Sequence, residues 1–234
     1  MPTVLITGSN SGLGLEFARQ YADRGWRVLA TCRRPEAAAD LEALAGDIEV
    51  RGLDVADFDA IDRLAARLDG TPIDLLVLNA GRTRRPQQIG NMDYDDFAEI
   101  FRVNTMAPLK LAEALVDHVA ASEHKKIVAI SSRLGSITFA TADDRTFELR
   151  GPYYPYRVTK AGLNMVMRTM AAELAPRGIL TAALCPGWVR TRMGGDNATY
   201  STTESVGWMR GIIERLTAQD SGAFFSHEGE KYPF

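Results

Sequence analysis

The stretch that decides the fold runs from a buried-strand pattern through a glycine-rich turn into an amphipathic helix. It reads Thr3-Val4-Leu5-Ile6-Thr7-Gly8-Ser9-Asn10-Ser11-Gly12-Leu13-Gly14-Leu15-Glu16. A turn this tight needs residues without a Cβ, as Gly8, Gly12 and Gly14 provide, and the close approach of a pyrophosphate needs the same. The helix that begins near Gly12 presents free backbone N–H groups and a partial positive charge to an anion. The pattern predicts a phosphate-binding turn, and a plain strand-to-helix turn is the alternative.

The rest of the chain repeats this alternation of strand and helix patterns. Strands are predicted at the apolar runs Thr3–Thr7, Arg27–Thr31, Ile48–Leu53, Ile73–Leu78, Lys126–Ile130, Ile179–Leu184 and Ala223–Phe225. Helices are predicted at Gly12–Arg24, Pro35–Leu44, Phe58–Leu68, Tyr94–Phe101, Val103–Ala121, Tyr154–Leu174 and Thr203–Ala218. The apolar runs are continuous rather than alternating, which indicates burial on both faces and therefore a parallel sheet. The sequence predicts one α/β domain over residues 1–234, with a doubly wound (Rossmann) seven-stranded, mostly parallel sheet and helices on both faces.

Length, composition and charge exclude several classes of protein. A chain of 234 residues with a net charge of −3 is typical of one globular domain and does not favour nucleic acid as a partner. No apolar run is long enough to span a membrane, and the start lacks the basic region and cleavage site of a signal peptide. Two cysteines, Cys32 and Cys185, indicate buried thiols in a reducing, cytoplasmic setting rather than a disulfide framework. The three histidines are scattered, so no metal site is predicted.

A tyrosine and a lysine one helical turn apart form the candidate reactive pair. Tyr156 and Lys160 share one face of a predicted helix. A free phenol, with a pKa of about 10, exchanges protons poorly at neutral pH, and a nearby cation lowers that pKa. A tyrosine tuned in this way can exchange a proton with an alcohol or carbonyl oxygen. The spacing also arises by chance, so the pair gains weight only from the motifs around it.

Further motifs occur in order along the chain, each at a set place in the strand and helix alternation. They are Thr7-Gly8-Ser9-Asn10-Ser11-Gly12-Leu13-Gly14, Asp54-Val55, Leu78-Asn79-Ala80-Gly81, Val103-Asn104, Ile130-Ser131-Ser132 and Pro186-Gly187-Trp188-Val189-Arg190-Thr191. Together with Tyr156 and Lys160, this order resembles the single-domain short-chain dehydrogenase/reductases. The Thr-Gly-x-x-x-Gly-x-Gly spacing is similar to that family and differs from the Gly-x-Gly-x-x-Gly of other dinucleotide folds.

The resemblance implies a dinucleotide cofactor and the residues that hold it. These residues are Gly8, Ser9, Asn10, Ser11, Gly12, Leu13, Gly14, Arg33, Asp54, Val55, Asn79, Ala80, Gly81, Tyr156, Lys160, Pro186, Gly187, Val189 and Thr191. Asp54 and Val55 correspond to the pair that contacts the adenine, and the segment from Pro186 corresponds to the one that covers the nicotinamide. Thr191 would bond the nicotinamide amide, with helix capping as the alternative.

The resemblance also implies the catalytic residues, which are Asn104, Ser132, Tyr156 and Lys160. Tyr156 would exchange a proton with the substrate oxygen, and Lys160 would lower the pKa of Tyr156 and bond the nicotinamide ribose. Ser132 would donate a hydrogen bond to the substrate oxygen, where negative charge develops. Asn104 would hold a water that links Lys160 to solvent. Two alternatives stay open: Ser131 as the active hydroxyl, and a helix-kinking or capping amide at Asn104.

The residues after the second strand favour NADP(H) over NAD(H). Enzymes for NAD carry an acid there that bonds the adenine ribose and would repel the 2′-phosphate of NADP. Here the corresponding position is Cys32, followed by Arg33 and Arg34. A guanidinium matches a phosphate dianion, so Arg33 is the predicted phosphate ligand. A solvated loop that opens a helix at Pro35 is the alternative.

A narrower likeness connects the chain to the C-factor-like and sniffer-like carbonyl reductases. It lies in Ala30-Thr31-Cys32-Arg33, Ser131-Ser132-Arg133-Leu134-Gly135-Ser136-Ile137, Tyr154-Pro155-Tyr156-Arg157 and Pro186-Gly187-Trp188-Val189-Arg190-Thr191-Arg192-Met193-Gly194-Gly195. The gap between Ser132 and Tyr156 is longer than in the usual short-chain enzyme because of the stretch Thr138–Pro152. This departure leaves open the substrate and the family's tetramer contacts, but not the chemistry.

The expected activity is that of an NADP-dependent oxidoreductase that moves a hydride between the nicotinamide and a carbonyl or secondary alcohol. The predicted pocket is mostly apolar and is lined by Arg133, Leu134, Phe139, Tyr153, Tyr154, Trp188 and Met193. Arg133 and Arg150 leave room for an acidic substrate, and Met193–Ser205 is a candidate lid.

Two other functions remain as alternatives at this point. One is a C-factor-like dinucleotide-binding signalling or regulatory protein with little turnover. The other is sugar-nucleotide epimerase or dehydratase chemistry, which the short chain and the glycine spacing disfavour. The family resemblance further implies a homo-oligomer, either a dimer or a tetramer.

Overall fold

The computed structural model of the chain describes residues 1–84, 87–141 and 152–234. The described strands are β1 (Thr3–Thr7), β2 (Arg27–Cys32), β3 (Ile48–Gly52), β4 (Leu75–Leu78), β5 (Lys126–Ile130), β6 (Leu180–Leu184) and β7 (Ala223–Phe225). They form one sheet in the order β3-β2-β1-β4-β5-β6-β7, and every neighbouring pair is parallel. The predicted doubly wound sheet is therefore confirmed. The strand order reverses between β1 and β4, which opens a crevice at the carboxyl ends of these two strands.

The helices cover both faces of this sheet. They are α1 (Gly12–Ala22), α2 (Ala39–Glu42), α3 (Phe58–Leu68), α4 (Tyr94–Phe101), α5 (Ala107–Ala120), α6 (Tyr154–Leu174) and α7 (Thr202–Arg215). Successive strand residues point to opposite faces, which divides the core in two. Leu5 and Leu29 pack with α3, α5 and α6, whereas Val4 and Val28 pack with α1, α2 and α7.

Two helix predictions differ from the structure. The single helix predicted for Pro35–Leu44 is wrong: a 3₁₀ turn at Pro35–Ala37 is followed by the short α2, because Ala38 has φ −107° and ψ 37°, outside the helical region. The break predicted between α4 and α5 is instead a π-helical segment, Arg102–Met106, which carries the chain from one helix to the next without a loop. That segment contains Asn104.

The long stretch before α6 is described only in part. A 3₁₀ turn occupies Arg133–Gly135, and residues 142–151, including Arg150, lie outside the described residues. Among the helices that are described, none is both long enough and apolar enough to cross a membrane.

Candidate active site

The glycine-rich turn after β1 is held against the end of β4. Gly8 and Gly12 have φ values of 68° and 58°, a conformation that side chains with a Cβ rarely adopt. The Asn79 side-chain amide donates to the carbonyl oxygens of Thr7 and Gly8, at 2.8 and 3.1 Å. A Cβ on Gly14 would lie 2.3 Å from the Gly8 oxygen, so the helix can start this close to the turn only with glycine there. The result is a backbone cradle at the start of α1.

The other turn residues divide into buried and open positions. Ser9 is fully buried, and its hydroxyl donates to the Ile6 carbonyl oxygen at 2.8 Å. Asn10 and Ser11 are exposed at the mouth of the turn. Leu13 is partly exposed at the start of α1. The structure therefore gives Ser9 and the Asn79 amide positioning roles within the turn, which the sequence did not separate from direct cofactor contact.

The ends of β2 and β3 present the predicted adenine and phosphate positions. Cys32 is buried, and burial raises the pKa of its thiol. Arg33 and Arg34 are exposed, and among the described residues neither has an ion-pair partner. Asp54 is exposed and accepts a hydrogen bond from the Ala56 amide at 2.9 Å, and Val55 beside it is buried.

Tyr156 and Lys160 lie one turn apart near the start of α6, as predicted. The lysine ammonium nitrogen is 5.7 Å from the centre of the Tyr156 ring and donates to the Ile130 carbonyl oxygen at 2.7 Å. Burial lowers the pKa of Lys160 to about 8. Tyr156 keeps part of its surface open, while burial of its hydroxyl raises the pKa of the phenol to about 12. The sequence analysis expected Lys160 to lower the pKa of Tyr156, but in the structure this pKa is raised. The Lys160 ammonium donates to the Ile130 carbonyl oxygen, and burial has the largest effect on the phenol.

The two serines after β5 have different environments. The Ser131 hydroxyl is buried and donates to the Asn164 side-chain oxygen at 2.6 Å. The Ser132 hydroxyl is partly exposed and hydrogen-bonded to Tyr156, and this bond opposes the effect of burial on the phenol pKa. Ser132 also accepts from the Leu134 amide at 3.2 Å. Of the two hydroxyls, only that of Ser132 is both partly exposed and hydrogen-bonded to Tyr156, whereas that of Ser131 is buried against Asn164.

The turn after Ser132 packs directly on the lysine backbone. A Cβ on Gly135 would lie 2.7 Å from the Lys160 carbonyl carbon and 2.8 Å from its Cβ. The Asn164 amide donates to the Gly135 carbonyl oxygen at 3.2 Å. Asn164 therefore joins the serine turn to α6 one helical turn beyond Lys160. Neither Gly135 nor Asn164 was predicted as a site residue, although a glycine three residues after a polar serine pair is a visible sign of close packing.

Asn104 is fully buried in the π-helical segment, and its side chain is committed to the protein. Its oxygen accepts from the Arg82 amide at 2.8 Å, and its nitrogen donates to the Arg82 carbonyl oxygen at 2.9 Å and to the Thr159 hydroxyl at 3.1 Å. A Cβ on Gly81 would lie 3.4 Å from the Asn104 oxygen and 3.7 Å from the Lys160 nitrogen. The absence of a side chain at Gly81 leaves a space beside both groups.

Cys185 contributes a thiol that sequence analysis did not place in the site. Its sulfur accepts from the Arg133 amide at 3.2 Å, and burial raises its pKa. Its electrostatic effect raises the pKa of both Tyr156 and Lys160. The thiol therefore acts electrostatically on both groups, and its hydrogen bond connects the turn after Ser132 to the end of β6.

The segment after β6 folds back on itself. Tyr200 forms a parallel bridge with Val189, and the Ser205 hydroxyl donates to the Pro186 carbonyl oxygen at 2.8 Å. The Thr191 hydroxyl accepts from the Gly194 amide at 3.0 Å, and a Cβ on Gly12 would lie 3.3 Å from the Thr191 methyl carbon. The segment thus reaches the glycine turn at Thr191, on the cofactor side of the crevice.

The predicted pocket residues lie on three separate elements of the fold. Arg133, Leu134 and Phe139 belong to the turn and loop after Ser132, and the Arg133 guanidinium stands 4.5 Å above the centre of the Phe139 ring. Tyr153 and Tyr154 lie at the start of α6, where Tyr153 has a left-handed φ of 49°. Trp188 and Met193 are exposed on the segment after β6, and the Trp188 indole donates to the Gly194 carbonyl oxygen at 2.8 Å.

Comparison with known proteins identifies the family. The model of the family described as short chain dehydrogenase matches residues 2–201. The chain belongs to the short-chain dehydrogenase family. The enzyme is similar to the C-signal protein of Myxococcus xanthus, with 36% identity over 163 residues that cover 70% of this chain and 93% of that one.

Solved structures agree with this assignment. The NADPH-bound carbonyl reductase from chicken fatty liver is 34% identical, with a TM-score of 0.90 over 100% of this chain and 99% of that chain. The carbonyl reductase Sniffer of D. melanogaster is 29% identical, with a TM-score of 0.91 over 100% of both chains. The resemblance to the short-chain dehydrogenase/reductases, and to their sniffer-like and C-factor-like members, is confirmed. The protein is therefore an oxidoreductase of this type.

Proposed function

We propose that this dehydrogenase is an NADP(H)-dependent carbonyl reductase, in which Tyr156 is the proton donor to the substrate oxygen. The observation that carries the proposal is the convergence of Tyr156, Ser132 and Lys160 at the carboxyl end of β5, across the crevice from the glycine turn. A dinucleotide-binding protein without turnover has no chemical need for this constellation. The likeness to carbonyl reductases of solved structure supports the same activity.

The residues present fit a bound dinucleotide. The glycine cradle would hold the pyrophosphate, because the start of α1 offers free N–H groups to an anion. The lack of a Cβ at Gly14, which would clash with the Gly8 oxygen, lets the start of α1 lie this close to the turn. Arg33 would bind the 2′-phosphate of NADP(H), since it is exposed at the end of β2 and has no ion-pair partner among the residues described. The chicken reductase was solved with NADPH bound, which supports this choice of cofactor. When bound, the nicotinamide supplies or accepts the hydride.

Tyr156, as the protein holds it, is suited to donate a proton during carbonyl reduction. With a pKa of about 12, the phenol keeps its proton at neutral pH and can give it to a carbonyl oxygen that gains negative charge. Ser132 is hydrogen-bonded to Tyr156, so both hydroxyls converge on the place where that oxygen would sit. Lys160, with a pKa of about 8 and its nitrogen 5.7 Å from the centre of the Tyr156 ring, is a group from which a proton can return to the phenol.

Asn104 is proposed to act through its place in the π-helical segment. Its side chain holds Arg82 and Thr159, so a water that links Lys160 to solvent would use the space beside Gly81. A π-helical turn in an otherwise α-helical path is frequent at functional sites. In this proposal the Asn104 side chain holds the local backbone in place and also borders the path by which a proton reaches Lys160. Both roles considered in the sequence analysis, the water-binding one and the structural one, then apply to the same residue.

The second candidate function is a dinucleotide-binding regulatory protein with little turnover. The 36% identity to C-signal is the observation that favours it. The protein would then bind NADP(H) through the glycine cradle and Arg33 but would leave carbonyl compounds unreduced.

The assembly and the cellular location of the enzyme stay proposals. We propose a homo-oligomer, either a dimer or a tetramer, in the cytoplasm. Exposed apolar side chains on α5 and α6, namely Leu109, Val158 and Met165, support a contact between subunits along these helices. Light scattering on the purified protein distinguishes monomer, dimer and tetramer.

The test of the proposed function is NADPH oxidation by the purified enzyme against a panel of aliphatic and aromatic ketones and aldehydes. Turnover of at least one of these compounds is the expected result. Tyr156→Phe removes the proton donor and keeps the ring, so kcat should fall by roughly two to four orders of magnitude. Tyr94→Phe, at a 75% exposed tyrosine that opens α4, is the matched control and should leave kcat unchanged. NADPH binding without turnover in the wild type would favour the regulatory alternative instead.

A further inference from the structure

The chain after β7 turns back along the edge of the sheet. Gly229, with φ of 92°, and the bond from the Ser226 amide to the Glu230 carbonyl oxygen close a tight turn. The Tyr232 amide then donates to the Phe224 carbonyl oxygen at 2.7 Å, and Lys231 bridges Phe225 in the antiparallel sense. We refer to Lys231-Tyr232-Pro233-Phe234 as the 231–234 segment. It lies beside β7 and is fixed to it by backbone hydrogen bonds.

The 231–234 segment is also bonded to the loop that follows the catalytic serine. The Ser136 hydroxyl donates to the Pro233 and Phe234 carbonyl oxygens, at 2.7 and 3.1 Å. The Thr138 amide and hydroxyl both donate to the Phe234 carbonyl oxygen, at 2.9 and 3.0 Å. Ser136 is 1% exposed, so its hydroxyl is held in place between the loop and the segment. The loop therefore takes its position from the 231–234 segment.

A row of rings extends from the buried Phe224 to the partly exposed Phe139. The Tyr232 ring lies between Phe224 and Phe139, with ring centres 5.4 and 5.3 Å away and interplanar angles of 76° and 90°. Phe224 is buried in the core, whereas Tyr232 and Phe139 keep part of their surface open. The Arg133 guanidinium stacks on the outer ring, Phe139. The core thus fixes two partly open rings at right angles to each other.

This pair of rings lies beside the reacting groups. Arg133 follows Ser132 directly, and its amide donates to the Cys185 sulfur, which acts electrostatically on Tyr156 and Lys160. Burial raises the pKa of Tyr232, and Cys185 raises it further while Arg133 lowers it, so the Tyr232 phenol lies within the electrostatic reach of both. Tyr232 therefore packs, through Phe139, against the loop that directly follows Ser132, although no sequence motif indicated it.

We propose that Tyr232 is a specificity-determining residue, and that it forms with Phe139 the wall that receives a flat aromatic group attached to the substrate carbonyl. Aromatic groups pair favourably with ring edges and faces, and two perpendicular rings offer one of each. The proposal rests on the proposed carbonyl reductase function and narrows its substrate class to aryl ketones and aryl aldehydes. The 231–234 segment holds this wall in place through Ser136.

The test compares an aryl ketone, acetophenone, with a small aliphatic ketone, butanone, on the wild type and on Tyr232→Leu. The variant should lose about tenfold or more in kcat/KM for acetophenone, mainly through KM, with kcat/KM for butanone and KM for NADPH changed by less than about twofold. Tyr232→Phe keeps the ring and should stay close to the wild type. Tyr94→Leu, at a 75% exposed tyrosine that opens α4, should change kcat/KM for neither ketone. Equal losses for both ketones in Tyr232→Leu would show a purely structural role and overturn the proposal.

Two further measurements keep the result decisive. If Tyr232→Leu does not fold, Phe139→Leu, in the partly exposed outer ring, takes its place with the same expected discrimination between ketones. If the wild type reduces no carbonyl compound, the carbonyl reductase function fails, and saturation-transfer NMR with acetophenone tests the wall by itself. Contact with the wild type that is lost in Tyr232→Leu supports the wall, whereas equal contact in both, or contact in neither, overturns it.

Discussion

Lys160 lies 5.7 Å from the centre of the Tyr156 ring, yet it donates its hydrogen bond to Ile130. Burial acts on the two groups in opposite directions, because it penalises the charged form of each. It lowers the pKa of the lysine to about 8 and raises that of the tyrosine to about 12. The lysine therefore loses its proton before the phenol does. At neutral pH Tyr156 therefore keeps its proton, and Lys160 is the group of this pair whose charge changes closest to neutral pH.

Lys160→Met should alter the pH dependence of stability. The folded protein releases the lysine proton at about pH 8, whereas the unfolded chain holds it to about pH 10.5. The unfolded state binds more protons in this window, so the free energy of unfolding of the wild type gains from this group as pH rises, by up to about 1.4 kcal/mol per pH unit. The stability of the wild type relative to Lys160→Met should therefore increase from pH 8 to 10. Thermal unfolding at a series of pH values measures it.

Lys110→Met is the matched control for this prediction. A hydrogen bond with Asp62 raises the pKa of Lys110 above its ordinary value. Its contribution to stability is fully present below that ordinary value and is lost only as pH rises through the raised one. The difference in stability between the wild type and Lys110→Met should stay flat from pH 8 to 10. A flat difference for Lys160→Met as well would contradict the low pKa of Lys160.

Arg33→Asp should change the cofactor preference. The aspartate would repel the 2′-phosphate of NADPH and could accept hydrogen bonds from the ribose hydroxyls of NADH. Losing one charge-assisted bond costs about 1.5–3 kcal/mol, so KM for NADPH should rise by roughly 10- to 100-fold, while KM for NADH falls or holds. Steady-state kinetics with both cofactors measure this, with Arg67→Asp on α3 as a control for the altered net charge. An unchanged preference in Arg33→Asp would assign the phosphate to another group.

The parts of this enzyme that could be predicted from sequence are those encoded locally. The seven strands could be predicted because each is a short, continuous apolar run between turn residues. The glycines from Gly8 to Gly14 likewise predict the turn after the first strand. The sharing of one helix face by Tyr156 and Lys160 could be predicted from their spacing, whereas the place of Ser132 beside them was implied by the resemblance to the short-chain dehydrogenase/reductases. Helix continuity through Asn104 was missed because a π-helical turn has no residue signature of its own.

What remained hidden depends on contacts between distant parts of the chain. Ser136 is bonded to Pro233, and Ser131 to Asn164, and nothing in either local sequence indicates these pairs. The order of the pKa values of Tyr156 and Lys160 was also missed, because spacing on a helix shows which charges are near but not how deeply they are buried. Burial depends on how distant segments pack together in the folded protein, so the pKa shifts that it causes cannot be predicted from a local sequence pattern.

Asp74→Asn should remove an acid-sensitive contribution to stability away from the active site. Asp74, just before β4, accepts from the Thr3 amide at 2.8 Å and from the His124 ring at 2.9 Å. Burial raises the pKa of this carboxyl, but the hydrogen bonds from His124 and Thr3 outweigh it and hold the pKa below 3.8. A lowered pKa gives stability that is present above the ordinary value and is lost as pH falls through the folded one. The variant should thus have a lower Tm at pH 7, and the difference should shrink as pH falls below about 4.

Asp69→Asn serves as the control for Asp74→Asn. Asp69 is exposed and has a left-handed φ of 38°, a conformation that asparagine also tolerates. Its replacement should leave Tm nearly unchanged at every pH. A loss of Tm in Asp74→Asn that is equal at pH 7 and pH 3 would mean that packing, and not the ionised carboxylate, is what the substitution removes.

Gly135→Ala should damage catalysis through packing alone. The added methyl group would lie 2.7–2.9 Å from three backbone or Cβ atoms of Lys160, so either the serine turn or α6 must move. Such overpacking costs about 1–3 kcal/mol, and a displacement of about 1 Å between reacting groups can cost up to a hundredfold in rate. We expect kcat to fall by at least about tenfold, because Ser132 would shift relative to Tyr156, with a smaller effect on KM for NADPH, because the glycine cradle stays in place. Gly207→Ala in α7 is the matched control: its nearest neighbour would be the Gln20 side-chain oxygen at 4.0 Å, so the variant should keep full kcat and gain up to about 1 kcal/mol in stability. Wild-type kcat in Gly135→Ala would show that the serine turn and α6 need not meet this closely for turnover.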